Sequence, residues 1–181
     1  AKADALIYGM GESAALELAQ QLRAGNDFRT VRGLCYIASA PQQEFITLPS
    51  FEEAAADKDA FIDMFHLFYQ NNDPMTARGL NQQHESRWLV QNPPAALMST
   101  EELDKVYDLD FEREQHPFHE RLGPVRALDT IRFSINTHRG CYGECHFCAI
   151  AVHQGRTVQS RSRASIVKEA EGMTRHPRFR G

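Results

Sequence analysis

The chain has 181 residues, room for one domain or two small ones, and its 42% hydrophobic and 24% charged content suits a globular protein that buries a core. A net charge of -4 argues against a general grip on nucleic acid, which usually needs an excess of Lys and Arg. No apolar run approaches the ~20 residues of a membrane helix, and no signal peptide is visible.

Asp4 to Tyr8 reads as a short buried strand, and Gly9-Met10-Gly11 follows as a turn. Ala15, Leu16, Leu18, Ala19 and Leu22 then recur with helical spacing up to a stop at Gly25. Strand, glycine turn and helix make half of an α/β unit. Gly-Met-Gly lacks the third glycine of a dinucleotide fingerprint, so the turn is read as structural. Val31 to Ala38 and Glu44 to Leu48 look like strands of a hairpin, with Cys35 as a small buried residue inside the first.

Ser50 and Glu53 have capping-box spacing and open a helix. Along it, Phe61, Met64, Phe65 and Phe68 form a stripe read as a core face. Asn71-Asn72-Asp73-Pro74 ends it. Met75 to Pro94 is polar and irregular apart from a strand-like Arg87 to Val90, and Pro93-Pro94 marks an extended linker. Ser99 and Glu102 repeat the capping box before a short helix that ends near Tyr107. Asp108 to Pro124 reads as a charged loop with solvated His116 and His119. Ile131 to Thr137 alternates apolar and polar residues as a strand does, and a last helix starts at the N-cap Ser162.

Chemistry concentrates in Arg139-Gly-Cys-Tyr-Gly-Glu-Cys-His-Phe-Cys148. Cys35 stands alone, whereas Cys141, Cys145 and Cys148 fall within eight residues at C-x3-C-x2-C spacing. A secreted disulfide scaffold spreads its cysteines more evenly. Clustered thiols in an enzyme-like composition point to metal chemistry in a reducing compartment, the cytoplasm. A cubane iron–sulfur cluster normally takes four thiolates. Three would leave one iron open, as a catalytic metal site requires. Gly140 and Gly143 let the backbone turn so that the sulfurs reach one small cluster. A structural zinc held by the three thiols plus His138, His146 or His153 is the rival on residue types alone. Arg156, Arg161 and Arg163 form a small basic group that could contact a phosphate or a cofactor carboxylate, with solvated surface or packing at the start of the last helix as the favoured reading. Glu144 and His146 lie inside the loop, where charge could tune a cluster, and neither is assigned a catalytic role. No hydrolase triad signature stands out.

The cysteine loop, with Phe147 before its last cysteine, resembles the radical S-adenosylmethionine superfamily. Thr137 through Ile150, His153-Gln-Gly-Arg156, Ser160-Arg-Ser162 and the upstream stretches 4–12, 48–73 and 92–109 resemble its YgiQ-type family, so the likeness spans nearly the whole chain. The resemblance implies that Cys141, Cys145 and Cys148 each bind one iron of a [4Fe–4S] cluster. The fourth iron would chelate the amino and carboxylate groups of S-adenosyl-L-methionine, and Phe147 would sit near the adenine. Reductive cleavage would give methionine and a 5′-deoxyadenosyl radical that takes a hydrogen atom from a substrate. An electron donor such as flavodoxin or ferredoxin is the implied partner.

The expected fold class is α/β. Residues 1–30 would close an N-terminal Rossmann-like domain, residues 31–127 would form a family-specific connector, and residues 128–181 would open a radical SAM partial TIM barrel with its first strand, loop and helix. A full barrel takes about 250 residues, whereas 33 residues follow Cys148 in this 181-residue chain. Both ends therefore read as cuts through a larger protein, and the piece is not expected to act as a catalyst alone. No Asp-x-His-x-x-Gly run for ligating a cobalamin is present.

Overall fold

The computed structural model describes residues 3–180; Ala1, Lys2 and Gly181, where the cuts are expected, lie outside the described residues. The architecture is mixed α/β. Two compact units form, Ala1–Leu97 with Gly140–Val158, and Met98–Arg139 with Gln159–Gly181.

The first unit is built on a five-stranded sheet: β1 (Ala5–Ile7), β2 (Leu34–Ala38), β3 (Ile46–Thr47), β4 (Leu80–His84) and β5 (Arg87–Gln91), in the order β1-β2-β5-β4-β3. Only β3 and β4 are parallel; Leu6 lies opposite Cys35, and Tyr36 opposite Val90, in antiparallel pairs. The described residues thus form a largely antiparallel sheet. The glycine turn leads into α1 (Glu12–Ala24), which ends where Gly25 adopts the left-handed conformation and donates its N–H to the carbonyls of Gln21 and Leu22. Ala14 on α1 packs with Val31 and Leu34 as a core, and Leu18, Phe28 and Ala95 cover it.

Four expectations are corrected here. β2 and β3 are not a hairpin, because β2 is already paired on both edges, by β1 and β5. β4 was hidden by its composition, Leu-Asn-Gln-Gln-His. Its Asn81 is 1% exposed and exchanges hydrogen bonds with the backbone of Gln42 at 2.9 and 3.0 Å, which removes the cost of burying the amide. The helix after Ser50 is two helices, α2 (Phe51–Ala56) and α3 (Lys58–Gln70), broken at Asp57, whose carboxylate accepts from Asp59 and Ala60 and so caps α3. On α3 the aromatic stripe is not a core face. Phe61 and Phe65 stay 52% and 44% exposed, since helical spacing defines a stripe without saying what covers it.

The second unit holds α4 (Thr100–Tyr107), α5 (Leu128–Ile131), the two-stranded sheet of β6 (His138–Arg139) and β7 (Gln159–Ser160), and α7 (Arg163–Met173); the short α6 (Ile150–His153) belongs to the first unit. Both capping boxes form, at Ser50–Glu53 and Ser99–Glu102, and Ser162 caps α7. The expected strand over 131–137 is corrected. Ile131 ends α5, and Arg113 donates to the carbonyls of Arg132 and Ser134, so a side chain takes the places that a neighbouring strand would fill. The loop over 108–124 contains a 3-10 helix, Pro117–Leu122, capped by the His116 ring, which accepts from Phe118 N–H.

Candidate metal centre

Gly140 to Val158, which carries the three clustered cysteines, lies in the first unit. Two backbone features close its base. Cys141 N–H donates to Gly155 O at 3.1 Å, and Gly140 N–H donates to the Gln154 side chain at 3.0 Å. From Cys141 to Cys148 the chain is an irregular turn, with Cys148 N–H bonded to Cys145 O at 2.9 Å, and the short α6 follows.

Cys141 and Cys145 are exposed, Cys148 is half-buried, and all three thiols are unbridged. The first two sulfurs flank Gly143. Its N–H lies 3.3 Å from Cys141 Sγ, and a Cβ built there would stand 3.3 and 3.8 Å from Cys141 Sγ and Cys145 Sγ. Phe147 is 92% exposed, so its ring is open to a ligand rather than committed to the core. Among the described residues, no three His, Cys, Asp or Glu side chains are gathered to hold a single metal ion. In an iron–sulfur cubane each thiolate binds its own iron, and three free thiols on one exposed turn are a donor set of that kind.

The loop is held by residues from far upstream that the sequence analysis passed over. Asn72, 8% exposed just after α3, donates to the carbonyls of Ala151 and Val152 at 3.4 and 3.0 Å. Tyr69 on α3 donates its hydroxyl to Glu144 Oε1 at 2.9 Å. Arg156 stacks on the Tyr69 ring, 4.1 Å from its centroid, and sets its Nε 2.5 Å from the same carboxylate oxygen. The hydrogen bond to Tyr69 is the main cause that pushes the Arg156 guanidinium pKa above its ordinary value, against the opposing effect of burial, and the Glu144 charge adds to it. Gly9 at the glycine turn has φ +71°, and a Cβ there would lie 3.3 Å from the His153 carbonyl, so this turn also abuts the end of the cysteine segment. These contacts leave no mark in local periodicity. The one signal was the run Asn71-Asn72-Asp73-Pro74, whose amides do more than end a helix.

The three arginines after the loop separate. Arg156 belongs to the first unit as described, whereas Arg161 is buried in the second with its side chain fully covered. His116 and His119 contact each other edge to face at 6.2 Å in the second unit, which holds no cysteine.

A family model described as Radical SAM N-terminal matches residues 1–134. The chain belongs to this family. Relatives of this radical SAM chain include a UPF0313 protein of Fusobacterium nucleatum, 53% identical over 181 residues that cover all of this chain and 32% of that protein. A UPF0313 protein of Clostridium botulinum is 42% identical over 184 residues, 99% of this chain and 29% of its own length. One from Clostridium perfringens is 43% identical over 185 residues, 99% of this chain and 28% of its own length. The chain therefore spans about a third of the length of the curated relatives it matches. No solved structure gives a significant match. No helix among the described residues is long and apolar enough to cross a membrane.

Cys35 contrasts with the loop thiols. It sits in β2, and burial pushes its pKa up to about 11. In metal-free protein at pH 8, iodoacetamide should label Cys35 at least about ten-fold more slowly than exposed Cys141 and Cys145, because the thiolate is the nucleophile. Peptide mapping over time measures this; equal rates would show that β2 does not shield the thiol. The raised pKa also sets a pH trend. The thiol's contribution to stability is intact below the unfolded value of about 8.5 and is lost as pH rises towards about 11, since the unfolded chain ionises first.

Proposed function

We propose that this chain carries the cluster-binding loop of a radical S-adenosylmethionine enzyme, with Cys141, Cys145 and Cys148 as ligands of a [4Fe–4S] cluster. One observation carries the reading: three unbridged cysteines at C-x3-C-x2-C spacing share one turn, in a chain whose first 134 residues match a radical SAM family. When bound, the cluster would supply the electron that splits a carbon–sulfur bond of S-adenosyl-L-methionine, yielding methionine and a 5′-deoxyadenosyl radical for hydrogen abstraction. The chain's own residues hold and shape the site. The three thiolates anchor the irons, and the backbone closure at Gly140 and Cys141 sets the loop's base. The exposed ring of Phe147 offers a face for the cofactor's adenine.

The division of labour we propose is that residues 1–30 end a Rossmann-like α/β domain, 31–127 connect it, and 128–181 open a partial TIM barrel. The cytoplasm is the proposed location, supported by four cysteines without a disulfide. A flavodoxin or ferredoxin is the proposed electron donor. The substrate is unassigned.

The test is to reconstitute the full-length protein with iron and sulfide without oxygen and record its visible spectrum. A broad brown band at about 400 nm is expected for a thiolate-bound cluster, with stoichiometric labile sulfide, and both should vanish in Cys145→Ala. Stoichiometric zinc without labile sulfide would replace this reading with a zinc-stabilised binding module.

A further inference from the structure

We infer that Tyr69, Glu144 and Arg156 act as a clamp that fixes the shape of the cysteine loop and neutralises a carboxylate beside its ligands, making all three positioning residues for the cluster. The inference rests on the assignment of Cys141, Cys145 and Cys148 as cluster ligands.

Glu144 immediately precedes Cys145 and has φ +45°, a left-handed backbone that disfavours a side chain bearing a Cβ. Such a conformation persists when surrounding contacts over-determine it. Here the contacts converge on one atom, Glu144 Oε1, which accepts from Tyr69 at 2.9 Å and faces Arg156 Nε at 2.5 Å. Arg156 is itself held. It donates Nη2 to the Tyr69 carbonyl at 3.3 Å and lies over the Tyr69 ring. Tyr69 in turn stacks on Phe65 with centroids 5.8 Å apart. The chain of support runs from α3, through one ring and one guanidinium, to the residue between Gly143 and Cys145.

The arrangement also sets charge. A bare carboxylate one residue from a ligating thiolate disfavours adding an electron to the cluster, and charge near a cluster is one of the factors that set its potential. Pairing with Arg156 cancels most of that effect. Removing the cation and removing the anion therefore push the potential in opposite directions, whereas mere loosening of the loop would move both variants alike.

The experiment compares full-length wild type, Arg156→Gln, Glu144→Gln, Tyr69→Phe and Cys145→Ala after anaerobic reconstitution with iron and sulfide. It reads the rate of iron release to a chelator and the reduction potential by spectroscopic titration. All three clamp variants should release iron faster, by roughly ten-fold for the arginine variant, as is usual when an outer partner of a metal ligand is removed. The potential should fall in Arg156→Gln and rise in Glu144→Gln. Arg156→Lys should restore the potential but not the slow release, since it keeps the charge and loses the planar stack. Wild-type release rates, or potential shifts of one sign in both variants, would overturn the clamp while Cys145→Ala still loses its iron. A wild type that takes up no iron and sulfide would overturn the ligand assignment and the clamp together.

Discussion

Replacing Arg161 with alanine should cost the second unit roughly 3 kcal/mol, the scale of leaving half of a buried ion pair behind. Its side chain is fully covered, and each of its three nitrogens has a partner. Nε reaches Ser165 Oγ at 3.2 Å, Nη1 reaches the Asn136 carbonyl at 3.0 Å, and Nη2 reaches the Ser165 carbonyl and hydroxyl at 3.1 and 2.8 Å. Nη1 also pairs with Glu169, and the guanidinium lies 4.2 Å from the Tyr107 ring centroid. One side chain thus ties α4, α7 and the chain before β6 together. Alanine would remove every link and leave Glu169, 11% exposed, with Arg113 as its remaining cation, which sets the cost at the low end for a buried pair. Lysine would keep the charge without the planar fork, so Arg161→Lys should recover only part of the loss. Hydrogen exchange followed across Thr100–Tyr107 and Arg163–Met173 measures the local effect. A change below about 0.5 kcal/mol, the scale of an ordinary surface substitution, would show that Glu169 and Tyr107 hold these helices without it.

Arg161 also shows where sequence reading stops. Among the three nearby arginines nothing in spacing separates the one that stacks on Tyr69, the one buried under Tyr107, and Arg163 at the first turn of α7. What is legible is what depends on a few consecutive residues. A capping box needs only a serine and a glutamate three apart, and both such pairs form as expected. Gly25 and Ser162 likewise mark their helix ends by local chemistry. The cysteine spacing belongs to this class too, which is why the candidate ligands stand out before any fold is known. Pairing and burial depend on distant partners and are less legible. The alternation over 131–137 looks like a strand, yet Arg113 takes its carbonyls. The Phe61 stripe looks like a core face, yet stays exposed. Tyr69 and Asn72 read as the tail of a helix, yet they reach 75 to 80 residues along the chain to hold the cysteine segment.

Gly140→Ala should disrupt the cysteine loop at its base, and Gly143→Ala should leave that base intact, although both merely add a methyl group. Gly140 is buried with φ +85°, and its added Cβ would stand 2.2 Å from the Thr157 carbonyl oxygen and 2.9 Å from its carbon. That neighbour is backbone of the same closing segment, and it cannot swing aside as a side-chain tip can. The left-handed conformation alone costs an alanine roughly 1–2 kcal/mol, and relieving the clash requires breaking the Cys141-to-Gly155 and Gly140-to-Gln154 hydrogen bonds, each worth about 1 kcal/mol. A total of about 3 kcal/mol exceeds what a surface loop closure can absorb without opening. Exchange protection at the Cys141 amide should collapse, and with it, on the proposed ligand assignment, the capacity to retain iron. At Gly143 the nearest atoms are the two sulfurs, at 3.3 and 3.8 Å, and φ is not in the left-handed region. A methyl there should leave the Cys141 amide protected and act on the sulfurs alone, lowering iron retention without opening the loop. Measuring amide exchange and bound iron in both variants separates the two effects. Equal protection of the Cys141 amide in Gly140→Ala and wild type would mean that the loop base is not closed by this glycine, and the site would have to owe its shape to the clamp on Glu144 instead.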